Sequence, residues 1–223
     1  LSIDMGDLGV LAYDQGSGSG LATIDDMTPT AAEEIWDGLD TDTTYGSGGL
    51  VGAAGNSGVF NYIKTVGGVT FNGAARRGSG TSSSDGSSSA NGQSAWDFAL
   101  TGSGDMIGVD GLSWGAGYGQ ADAGSQAASG AEGTRESDDE HMTGFINYAM
   151  GSITVGYQES HMKKAATGGV DQDVQAWGIA FAVNDDLSVS YGEREVTYDN
   201  PSATDVTEEG EGIAVAYTMG SMK

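Results

Sequence analysis

Through most of the second half of the chain, apolar and polar residues alternate one by one. Ile153, Val155 and Tyr157 fall on one face of an extended segment, and Thr154, Gly156 and Gln158 on the other. The same period of two sets Gln175, Trp177, Ile179, Phe181 and Val183 against Val174, Ala176, Gly178, Ala180 and Ala182. It sets Leu187, Val189 and Tyr191 against Ser188, Ser190, Gly192 and Arg194, and Ile213, Val215, Tyr217 and Met219 against Ala214, Ala216 and Thr218. A repeat of two is the signature of a strand whose faces meet different surroundings. It predicts strands over residues 142–149, 153–160, 174–183, 187–194 and 213–219. In the first half the same reading gives strands near residues 1–5, 7–13, 57–65, 68–77, 94–103 and 111–121, for about eleven in all.

The connections carry their own pattern. Met150-Gly151-Ser152, Asn184-Asp185-Asp186 and Met219-Gly220-Ser221 are tight turns. Between them lie longer stretches rich in Gly, Ser, Asp and Glu, at about 123–139, 163–171 and 200–209, and residues 79–93 are nearly all Ser, Gly, Asp and Asn. Short and long connections in turn are what a membrane barrel shows, whereas a soluble sandwich has no reason to keep that order.

The two faces sharpen this expectation. A soluble β protein fills its interior with bulky groups at near-crystalline density. Here Ile, Val, Leu, Tyr, Trp and Phe share one face, while the opposite face holds Gly, Ser, Ala, Thr and Gln. An inverted barrel, with lipid outside and water inside, accounts for both faces. Tyr148, Tyr157, Tyr191, Tyr198, Trp114 and Trp177 near strand ends fit the aromatic girdles of such a barrel, and also fit the core of a sandwich. The predicted fold class is therefore all-β: a transmembrane antiparallel β-barrel, one domain over 1–223.

Composition removes several other classes. The 223 residues include no cysteine, so disulfides, thiol nucleophiles and thiolate metal sites are excluded. Acids outnumber bases 32 to 8, and a net charge of -24 opposes nucleic acid, whose binding needs a basic footprint. No run of 18 apolar residues exists to form a membrane-spanning helix, and a barrel needs none. Leu1 opens straight into a strand-like pattern and Lys223 follows soon after a turn, so the chain is expected to be an internal stretch of a longer protein, truncated at both ends.

Residues 14–56 break the hairpin rhythm, and a loop that long in a compact β domain is usually functional. Thr28 and Pro29 suit a helix start, Thr30 with Glu33 suits a capping box, and Gly38 suits a helix end, so one short helix is expected over residues 28–38. The loop carries Asp25, Asp26, Glu33, Glu34, Asp37, Asp40 and Asp42 and no Lys or Arg. Folded into a barrel lumen it would narrow the pore and bring a negative field into it. On the polar face of its strand, Asp97 is a further candidate for such a constriction.

The Met5-Gly6-Asp7-Leu8-Gly9 turn between two strands, followed by a long acidic loop with Ile24-Asp25-Asp26, resembles the general-diffusion porins of alphaproteobacteria, the Rhodobacter type. That resemblance implies a barrel of about 16 strands, usually a homotrimer in the outer membrane of a Gram-negative bacterium, in contact with lipid and lipopolysaccharide, passing ions and small solutes. It places Asp25, Asp26, Glu33 and Glu34 on the acidic side of the pore eyelet, with Arg76 and Arg194 as a thin basic wall opposite. With so few bases, a cation preference is expected. Such a channel requires no cofactor and performs no catalysis.

Two other classes fit some of the same features. A secreted β-rich surface-layer or adhesin protein would bind Ca²⁺ through the acidic loops, a possible use of these carboxylates in a barrel too. A carbohydrate-active β enzyme would need a distinct carboxylate pair, and none stands out among so many acids. Gly102-Ser103-Gly104-Asp105 and Gly46-Ser47-Gly48-Gly49 lack the Lys-Ser/Thr helix start of a phosphate loop. The run Asp138 to His141 is expected in a solvated loop, and Lys163 and Lys164 are expected at lipid headgroups or anionic loops.

Overall fold

The computed structural model describes residues 1–14, 20–32, 58–77, 94–121, 138–165 and 168–219. The strands are β1 (Ser2–Asp4), β2 (Val10–Asp14), β3 (Val59–Val66), β4 (Val69–Arg76), β5 (Ala95–Ser103), β6 (Leu112–Ala121), β7 (Asp139–Met150), β8 (Ile153–Lys163), β9 (Asp171–Ala182), β10 (Leu187–Asp199) and β11 (Val206–Tyr217). Each pairs antiparallel with the next in chain order, giving one eleven-stranded sheet without a crossover. Among the described residues no helix is long and apolar enough to cross a membrane.

Alternation decides which way each side chain points, and the register carries that choice from strand to strand. Tyr157 of β8 pairs with Trp177 of β9, Trp177 with Glu193 of β10, and Glu193 with Glu211 of β11. The next row toward the tight turns is Val155, Ile179, Tyr191 and Ile213, and the one beyond it Ile153, Phe181, Val189 and Val215. Val155, Tyr157, Trp177, Ile179, Phe181, Ile213 and Val215 are all exposed, and Ile153, Leu187 and Val189 are half-buried. No bulky residue of these rows is sealed in a dry interior. The buried positions lie on the other face, at Thr143, Gln158, Ser160, Ala176 and Ser190.

Aromatic side chains continue the bulky face across the first half. Tyr13 meets Phe60 edge-on with centroids 5.3 Å apart, Phe71 stacks on Phe98 at 6.0 Å, and Trp96 meets Tyr118 at 5.8 Å. One hairpin shows how the tight turns are made. Gly67 and Gly68 both have positive φ, 58° and 87°, which suits the two-residue turn between β3 and β4.

The strands run farther than their apolar pattern. β8, β10 and the start of β11 extend through Glu159, Glu195 and Glu209 on the bulky face, so the hydrogen-bond ladder outlasts the hydrophobic signal. Asp139, Glu140 and His141 therefore belong to β7 rather than to a solvated loop, and His141 is buried on the small-residue face. Lys164 makes an ion pair with Asp139 at 3.0 Å instead of reaching outward. Strand extension also trims the long connections. One end of the sheet has residues 5–9, 67–68, 104–111, 151–152 and 183–186; the other has 15–58, 77–94, 122–138, 164–170 and 200–205. The alternation is strong up to β7 and weak after it.

The short helical pieces are 3₁₀ turns at Gly6–Leu8, Gly20–Ile24 and Gly104–Ile107. None was expected from the sequence. Of the helix expected over residues 28–38, residues 28–32 are bends and irregular backbone, and 33–38 lie outside the described residues.

If the bulky face meets hydrocarbon, Ile179→Arg, in the middle apolar row, should destabilise the protein by ~2–4 kcal/mol in a lipid-vesicle unfolding titration. Ala180→Ser, one residue on and facing the other way, should stay within ~0.5 kcal/mol. Equal costs at the two positions would refute the assignment of faces.

Candidate functional site

The small-residue face is not bare. Residues 20–32 lie across it, and side chains from successive strands hold their backbone. The amide of Gly20 donates to Asn72 Oδ1 of β4 at 3.0 Å, and that of Leu21 donates to Asp97 Oδ1 of β5 at 3.0 Å. Asn147 of β7 donates to the Met27 carbonyl at 2.6 Å. Gln158 of β8 accepts from the Met27 amide at 2.8 Å and donates to the carbonyls of Ile24 and Asp25 at 2.8 and 2.6 Å. At the far end the Ala31 amide donates to Ser190 Oγ of β10 at 2.8 Å. Beyond the 3₁₀ turn at Gly20–Ile24 the segment is irregular, and its buried backbone groups must find partners elsewhere. Here a polar wall supplies them.

Apolar contacts fill the spaces between these bonds. Leu21, Ile24, Ala99 and Phe145 form a buried cluster, with Met27 packed against it. Leu21 is wholly buried although it stands on a connection. The wall glycines form the bed. A Cβ on Gly156 would come within 2.5 Å of Pro29 Cδ, one on Gly178 within 2.7 Å of Pro29 O, and one on Gly117 would collide with Leu21 Cδ1. Gly20 itself has φ +57°, and a Cβ there would overlap the Asp97 carboxylate. The lack of side chains on this face thus serves two ends: it leaves room inside the curve of the sheet, and it lets a crossing chain sit against the wall.

The candidate residues divide accordingly. Asp25 and Asp26 are exposed, on the stretch between Ile24 and Met27 that Gln158 holds. Although its side chain is exposed, the protein around Asp25 desolvates its carboxyl and raises its pKa above the ordinary 3.8, against the pull of the backbone N–H groups of Asp25 and Asp26. Glu33, Glu34 and Asp37 lie outside the described residues. Asp97 corrects the expectation: at 2 % exposure it lies beneath the segment as an anchor and does not present its charge to open solvent.

Arg76 and Arg194 both stand on the small-residue face, as expected. Arg194 shares a transverse row with Gln158, through Ala176 of the intervening β9, and so lies about 10 Å away across two strand spacings. Arg76 is two inward positions beyond Asn72, at the Gly20 end of the segment. The acids and Arg194 are thus brought to one level, and Arg76 is set apart from them. Sequence reasoning missed the anchors Asn72, Asn147, Gln158 and Ser190. Their signal was amides and hydroxyls recurring on the small face of separate strands, with Pro29 as the one rigid residue to match Gly156 and Gly178.

Replacing Gly178 or Gly156 by Val should lift Pro29 from the wall. Limited proteolysis should then cut within residues 20–32 much faster than in the unmodified protein, while the barrel itself keeps its heat resistance on gels. Unchanged cleavage would show that the glycines are not the seat of the segment.

No curated protein sequence matches this chain. Among solved structures it is similar to OmpT, an in-vitro-folded outer membrane protein of Vibrio cholerae, with a TM-score of 0.60 at 12 % identity. The match covers 99 % of this chain and 64 % of that one, so the chain spans a little under two thirds of its structural neighbour. The likeness is one of fold: the eleven-stranded sheet is that of an outer-membrane β-barrel. Residues 5–222 match the profile of the Gram-negative porins, which sets the protein in the outer membrane. On that match, over nearly its whole length, the chain belongs to the Gram-negative porin family.

Proposed function

We propose that this chain forms most of the wall of a passive, water-filled channel for ions and small hydrophilic solutes, narrowed by residues 14–56 and preferring cations. The observation that carries this reading is the seating of residues 20–32 on the small-residue face with the carboxylates of Asp25 and Asp26 left exposed. On that face any open space is the lumen, so exposed charge on the segment stands in the path of a permeating ion. Fixed carboxylates at a narrow point favour cations by sign. Arg194, at the same level, would face these acids across the opening and set up a transverse field for polar solutes. Glu33, Glu34 and Asp37 would add to the acidic side.

Membership of a porin family supports a channel rather than an enzyme. The free edges of β1 and β11 would be paired by further strands, closing a barrel of about 16, since hydrocarbon offers no water to unpaired backbone groups. We assign the assembled protein to the alphaproteobacterial general-diffusion type, as a homotrimer among lipid and lipopolysaccharide. Diffusion needs no cofactor; Ca²⁺ on the acidic connections would bridge to anionic headgroups.

Reversal potentials of the full-length protein in planar bilayers, under a KCl gradient, test the reading. Asp25→Asn and Asp26→Asn should each lower the ratio of cation to anion permeability without closing the channel. Because Asp25 is held above the ordinary carboxylate value, it neutralises as the pH falls through a value above 3.8, so cation preference should decline from there downward. The Asp25→Asn channel should lack that step. A protein that conducts nothing, or whose selectivity ignores both substitutions, would end the proposal.

A further inference from the structure

We infer that Gln158 is the positioning residue that fixes where the carboxylates of Asp25 and Asp26 stand, and through them sets the ion selectivity of the channel. This deepens the constriction reading and rests on it. Among the described residues, Asn72, Asn147 and Ser190 each hold one backbone group of the crossing segment, and Asp97 accepts from the Leu21 amide. Gln158 takes three: the carbonyls of Ile24 and Asp25 through Nε2, and the amide of Met27 through Oε1. Both acids lie between the gripped atoms. One side chain therefore clamps the two ends of the acidic turn.

Few residue types can do this. A primary amide carries two donors and an acceptor in one rigid plane, whereas a carboxylate only accepts and an ammonium only donates. Asparagine has the same head on a stem one methylene shorter. Gln158 is 5 % exposed, so water cannot readily replace a lost bond. It is also backed from below: Thr143 Oγ1 lies 3.4 Å from Nε2 and is itself tied to Ser160 Oγ at 2.8 Å and to the Glu159 carbonyl at 3.2 Å.

Two substitutions separate positioning from simple packing or charge. Gln158→Met keeps the length of the side chain and removes every bond. Gln158→Glu, recorded at a pH where the introduced carboxyl is ionised, keeps an acceptor for Met27, loses both donors and adds a negative charge. In planar bilayers with the full-length protein, both should move the reversal potential toward zero. Both should also raise the frequency of brief current interruptions about tenfold, corresponding to ~1.4 kcal/mol for a partly released turn. The heat resistance of the folded barrel on gels should not change.

The glutamate is the sharper probe. A charge acting on its own would increase cation preference, whereas loss of positioning lowers it. Should Gln158→Met fail to fold, Gln158→Glu alone decides. If Asp25→Asn and Asp26→Asn shift the potential while the position-158 variants behave like the unmodified protein, Gln158 is not the positioning residue and the constriction stands. If the aspartate variants shift nothing, the constriction and this inference fall together.

Discussion

A chain inside hydrocarbon has no water to complete its backbone hydrogen bonds, and the rest of this architecture follows from that constraint. Every strand must be flanked, so the sheet proceeds neighbour by neighbour from β1 to β11. Once the ladder is satisfied, the side chains are free to differ by face. Most aliphatic and aromatic groups go where there is lipid, and small and polar groups dominate the other face, where Phe145, Val174, Val196 and Tyr198 are buried. The hydrogen-bonding capacity left on the polar face is then available for something other than the ladder, and here it holds a chain segment.

Much of this was legible in the sequence because period two is a local signal. Each of the eleven strands overlaps a segment expected from the sequence, most closely where alternation is of the Ile153-Val155-Tyr157 kind. The ends of the strands were not legible, because the alternation weakens where the bulky face turns acidic. Glu195 and Glu209 are strand residues without an apolar signature, and a run such as Asp139-Glu140-His141 reads as a loop until its pairing partners are known.

The site was legible only in its charges. The length and acidity of the connection single out Asp25 and Asp26 as candidates. That Asp97 would be buried beneath it could not be read in this way, because Asp97 accepts from Leu21, 76 residues away. Gln158 and Met27 are separated by 131 positions. No pattern within a window of residues encodes contacts at such range. What the sequence does hold is a composition bias, glycine and amides on one face, whose meaning depends on what lies against them.

Gly156 and Gly178 are matched to Pro29 of the crossing chain, and Gly117 to Leu21. Wall and segment are therefore two halves of one mould. A crossing segment grafted from another barrel would arrive with its bulk and its hydrogen-bonding groups out of step with the hollows prepared here, and would not take up the same course. A side chain added at one of these inward positions must be answered by a change on the segment, so the course of residues 20–32 belongs to the pair of surfaces and is not a portable module.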